Sequence, residues 1–153
     1  MEVMPSTLLR AGLLFAGAAV LSAFSTLNQD QLKMLQDSGG WDYLKMTDTG
    51  MQTDHSCFDG KFHPETCSGR LTFSDDNKFT QVVKIEGQEV PRHGTYTLED
   101  DQLALFDELG TRDGPYTIQV DTQTKALVMD MPQVHIELIL HKSLREKKRK
   151  ETK

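Results

Sequence analysis

Between Trp41 and His141 the sequence alternates apolar and polar side chains in short runs, cut by pairs such as Asp75-Asp76, Glu86-Gly87 and Asp100-Asp101. A period of two is the signature of half-buried strands, and turns this close together leave no room for helical crossovers. The runs are WDYLKMT, GRLTFS, KFTQVVKIE, QEVPRHGTYTLE, QLALFDE, GPYTIQV, KALVMDM and VHIELILHK. In the last of these Val134, Ile136, Leu138 and Leu140 share one face. Eight antiparallel strands can close into a barrel whose interior is filled by side chains or holds one small ligand. The expected fold is therefore all-β, an antiparallel up-and-down meander forming an eight-strand barrel.

An internal echo supports the meander. GTYTLEDDQLAL from Gly94 and GPYTIQVDTQTKALVM from Gly114 each read Gly-x-Tyr-Thr-aliphatic, a polar turn, and an aliphatic return strand. Pro91 has no N–H for a ladder and predicts an edge or a bulge. One short helix precedes the strands. Asn28 with Gln31 has the capping-box spacing, Leu32 and Leu35 give one apolar stripe, and Ser38-Gly39-Gly40 ends it, which predicts a helix over 29–37.

The chain of 153 residues divides into three parts on this reading. Residues 1–25 carry Arg10, an apolar run from Ala11 to Leu21, and small residues Ala23 and Ser25 at a cleavage spacing, the anatomy of a signal peptide. An uncleaved N-terminal membrane anchor is the alternative. Residues 26–142 form the barrel domain and 143–153 a basic, disordered tail. Export places the domain in the periplasm or outside the cell, where cysteines pair. The body, residues 26–141, has nine Lys or Arg against twenty Asp or Glu, whereas Lys142 to Lys153 has seven Lys or Arg against two Glu. Such an acidic body argues against nucleic acid as a partner. The tail is expected to be solvated, with weak attraction to an anionic membrane surface as its functional alternative.

Cys57 and Cys67, the only cysteines, enclose a short loop, and a disulfide closing about 11 residues stabilises by roughly 2.8 kcal/mol in the chain-entropy model. The competing reading takes His55, Cys57, His63 and Cys67 as zinc ligands, but their order matches no short Cys-x-x-Cys knuckle. Asp48-Thr49-Gly50 copies the aspartic-protease tripeptide without its flanking aliphatic residues, and reads better as a turn with Asp48 bonding backbone and Gly50 at positive φ. His135 and His141 are expected at the surface or rim, and Met129 and Met131 in the core. No segment points to a cofactor, a metal-dependent activity or a catalytic site.

Gly39-Gly40-Trp41 at the start of the first strand, after a short helix and before an eight-strand meander, resembles the Gly-x-Trp motif of lipocalins and related calycins, here of the small exported bacterial kind. The resemblance implies that Trp41 plugs one end of the barrel and that a basic side chain near the last strand, Lys142 or Arg145, stacks on it. It implies as function the non-enzymatic binding of a small apolar or amphipathic ligand outside the cytoplasm. The candidate cavity residues are Tyr43, Phe73, Phe79, Tyr96, Leu105, Tyr116 and Ile118. The alternative is a protein-interaction module, an inhibitor or assembly factor, with a filled barrel and functional loops, the cysteine loop foremost.

Overall fold

The computed structural model describes residues 26–152; the expected signal peptide lies outside them. Helix α1 (Gln29–Leu35) begins as its sequence demands: Asn28 Oδ1 accepts from the Gln31 backbone at 2.8 Å while Gln31 Oε1 accepts from the Asn28 N–H at 2.9 Å. Nine antiparallel strands follow: β1 (Trp41–Asp48), β2 (Thr53–Ser56), β3 (Cys67–Phe73), β4 (Lys78–Ile85), β5 (Gln88–Glu99), β6 (Gln102–Asp107), β7 (Arg112–Asp121), β8 (Ala126–Met131) and β9 (Val134–Leu140). The chain ends in helix α2 (His141–Glu151).

Eight of the strands close the barrel. β3 to β9 pair in sequence order, and β1 joins β3 on one side and β9 on the other. β2 is extra to the eight expected. It pairs with Lys45–Asp48 of β1, while β3 takes only Trp41 and Asp42, so β1 serves two neighbours along one edge. The register of β1 on β9 shifts between Tyr43 and Lys45. At that shift the Leu44 carbonyl accepts from the backbone N–H of Cys57 at 2.8 Å and of Phe58 at 3.2 Å, which seats the cysteine loop on the barrel wall.

The two ends differ. Residues 38–40 and the β3–β4, β5–β6 and β7–β8 turns lie at one end, with both helices; Leu35 is fully buried there, and Leu27 and Met34 pack against the core. Trp41 is also fully buried, and its indole Nε1 donates to the Leu35 carbonyl at 3.1 Å, so the residue at the base of the barrel also ties down the helix that covers it. Gly40 (φ +74°) makes this junction: a Cβ there would lie 2.4 Å from Thr72 Oγ1. The opposite end carries the β1–β2, β4–β5, β6–β7 and β8–β9 turns and the cysteine loop.

The tail differs from expectation. The region from 143 is helical to Glu151, not disordered. Its residues are good helix formers, and Leu144 is buried against the body. His141 fixes the start, its N–H donating to the Gly40 carbonyl at 3.0 Å and its Nδ1 lying 2.6 Å from Asp42 Oδ2, beside the Arg70 guanidinium.

Candidate functional site

The interior comes first, because a cavity there would be the natural site. Tyr43, Phe73, Phe79, Tyr96, Leu105, Tyr116 and Ile118 all point inward and are buried. They belong to one contiguous cluster with Leu71, Leu103, Leu127, Met129 and Leu138. Phe73 and Tyr96 meet edge-on with centroids 5.2 Å apart. These seven residues pack together in the barrel interior.

Above this packing lies a feature that the sequence did not disclose. Gln81 Nε2 donates to the Tyr43 hydroxyl at 2.5 Å, and Arg92 Nε donates to Gln81 Oε1 at 2.7 Å. The Arg92 guanidinium also donates to Asp113 Oδ2 at 2.9 Å, and the Tyr116 hydroxyl donates to Asp113 Oδ1 at 2.7 Å. The five side chains thus form one hydrogen-bonded chain across the barrel toward its open end. Asp113 and Tyr116 are three apart and would face opposite sides of a regular strand. A register shift in β7 against β6 sets Asp113 opposite Leu105 and Tyr116 opposite Leu103, so that both face inward. Burial pushes the hydroxyl pKa of Tyr43 well above its ordinary value; at Tyr116, burial and then the Asp113 carboxylate do the same.

The wall over this polar floor is the β4–β5 hairpin. Only Gly94–Glu99 of β5 pair with β6, so Gln88–His93 bond to β4 alone and project past the barrel. Pro91 sits on that free edge, as its missing N–H requires, and it blocks further strands from adding there. The inner face of the hairpin presents Val83, Ile85 and Val90 above Gln81 and Arg92, around a cleft of about 570 Å³. Val90 is 55% exposed. Burying an exposed valine against a ligand is worth roughly 1.5 kcal/mol or more, so this apolar wall next to hydrogen-bonding groups suits a molecule with both characters.

Other expectations resolve as follows. Cys57 and Cys67 form a disulfide, with Cα atoms 4.5 Å apart, and both are fully buried. The alternative zinc set does not assemble: His55 is half-buried on β2, and the ring nitrogens of His63 face Asp59 at 2.6 Å and Glu65 at 3.3 Å, which raises the His63 pKa. Among the described residues no group of three His, Cys, Asp or Glu side chains could hold a metal ion. Lys142 is exposed, and no cation–aromatic pair is present among the described residues; the polar edge of Trp41 is met by Leu35 instead. At Asp48 the turn forms as expected, with Met51 N–H donating to Oδ1 at 3.0 Å, but the positive φ falls on Gln52 and not on Gly50. His135 pairs with Asp130 on the surface, and His141 caps the barrel–helix junction.

A second cleft of about 510 Å³ lies between α1, α2 and the β7–β8 turn. Met34 and Leu140 form its floor, and Lys33, Lys125 and Lys142 face Asp30, Asp37 and Glu146. Its charges balance, three of each sign. No helix among the described residues is long and apolar enough to cross a membrane. No protein-family model matches the chain, and no curated protein or solved structure shows significant similarity to it.

Proposed function

We propose that this is an exported, lipocalin-like binding protein that takes a small amphipathic molecule at the mouth of its barrel. The observation that carries the reading is the juxtaposition of Val83, Ile85 and Val90 with Gln81 and Arg92 in one open cleft, where Arg92 is held by Asp113. The apolar part of the ligand lies on the projecting hairpin, and its polar group meets the floor. The placement of Trp41 at the helix-covered end supports the lipocalin-like assignment. The buried disulfide supports an oxidising compartment, and with it export.

Titration with an environment-sensitive amphiphile such as an anilinonaphthalene sulfonate tests it. Binding should weaken at least tenfold in Val83→Glu/Val90→Glu, since a carboxylate on the apolar wall must be desolvated. Equal binding by the variant would refute the site.

A second reading, protein interaction through the loops, is favoured by one observation. Leu109 is 92% exposed and Met51 75% exposed, both on turns at the open end. Neither turn is slack: the Asp107 carboxylate accepts from Leu109 N–H at 3.0 Å and Thr111 N–H at 2.8 Å, and Asp48 holds the Met51 turn. Aliphatic side chains on pre-ordered turns are suited to anchoring in a partner's pocket.

A further inference from the structure

Helix α2 separates into two halves. Its first turn is bound to the barrel through His141 and the buried Leu144. Beyond Leu144, residues 145–150 carry five Lys or Arg against one Glu, and no apolar residue follows in the helix. At 1.5 Å per residue these five positions fall within about 9 Å of the helix axis length, close to one Debye length at physiological salt. Coiled chain would spread them; the helix concentrates them.

Among the described residues the barrel makes no ion pair with this segment. Lys142, Arg145, Arg149 and Lys150 form no ion pair with any described residue. Lys142 faces the α1–α2 cleft, where Asp30, Asp37 and Glu146 are balanced by Lys33, Lys125 and Lys142 itself. The helix leaves the barrel at the end opposite the mouth, and β5 alone spans twelve residues between the ends. At about 3.3 Å per residue the mouth carboxylates stand several Debye lengths from α2 and do not screen it.

We propose that α2 is a docking arm for an anionic lipid bilayer, holding the barrel with its mouth directed away from the membrane. The proposal rests on the reading that the protein is exported, which places it beside lipid headgroups and away from nucleic acid. Because the only apolar residue from Lys142 to Glu151, Leu144, is already buried, the attraction is electrostatic and reversible, without insertion.

The test is co-sedimentation of the mature protein with vesicles of equal parts phosphatidylcholine and phosphatidylglycerol, against phosphatidylcholine alone. At about 0.1 M salt the protein should pellet with the anionic vesicles only, and at about 1 M salt it should stay in solution. Arg145→Gln/Arg149→Gln should lower partitioning about 30-fold, with the thermal midpoint reporting that the barrel is intact. An excess of free glycerol phosphate should not displace it. Absence of pelleting at low salt, equal pelleting with neutral vesicles, unchanged partitioning of the variant, or displacement by glycerol phosphate would each overturn the proposal. None of these results bears on amphiphile binding at the mouth, which is read separately by fluorescence.

Discussion

Replacing both cysteines by alanine should destabilise the barrel by an amount the chain itself sets. Cys57 and Cys67 are ten positions apart, and the loop they close adds little regular structure beyond the isolated Phe58–Phe62 bridge. The entropy released to the unfolded chain on cutting such a loop corresponds to about 2.8 kcal/mol at room temperature. Both sulfurs are fully buried, so truncation also removes packing, and the total loss should lie at roughly 3–4 kcal/mol. For a domain of this size that is a drop of roughly 10 °C in thermal midpoint. Urea unfolding followed by Trp41 fluorescence reads it, with the untreated and thiol-reduced wild type alongside. The reduced wild type should reproduce most of the shift, because it loses the crosslink but keeps the sulfurs. A midpoint unmoved by reduction would refute the reasoning. It would mean that the loop is held by its seat on the Leu44 carbonyl and not by the crosslink.

Other expectations follow from the same contacts. Trp41→Phe removes the donor to the Leu35 carbonyl and part of a fully buried ring, and should cost about 2–4 kcal/mol in urea; a loss below about 0.5 kcal/mol would show that α1 does not depend on the indole. All three tyrosines have raised pKa values, through burial first in each case, so absorbance near the phenolate band at pH 10 should lie well below that of the unfolded chain. A tyrosine titrating normally would contradict this. The His135 pKa is raised chiefly by its hydrogen bond to Asp130, so its contribution is complete below the unfolded value of 6.5 and is lost as pH climbs through the higher folded value. His135→Gln should flatten that part of the stability profile in urea titrations, and an unchanged profile would count against the pair. Leu109→Ser should leave stability within about 0.5 kcal/mol, because the side chain touches solvent and little else.

The barrel was legible because its determinants are local. Alternation in VHIELIL, the Asn28–Gln31 cap and the acidic turns each state their structure without reference to distant residues. Pro91 even announced the free edge of β5. What escaped was set by non-local geometry. β2 exists because β1 outruns β3 and its free edge is met by a returning chain, and TDHS carries no apolar alternation to signal it. The site was missed for a related reason. Gln81, Arg92 and Asp113 are polar residues far apart in the chain, and only the register shift in β7 brings Asp113 and Tyr116 to the same side. A charged residue on the inward phase of β5, two and four positions before Gly94 and Tyr96, was the available hint. The helical tail is not legible from its charge, because the anchoring contacts of His141 and Leu144 lie across the fold.

The most direct measurement of the central claim is the native intact mass of the protein isolated from the exported fraction of its own cells, set against the Val83→Glu/Val90→Glu variant prepared identically. The account predicts an added organic mass on the wild type that disappears on denaturation and is missing from the variant. A wild type without any added mass, or the same adduct on the variant, would contradict binding at the mouth.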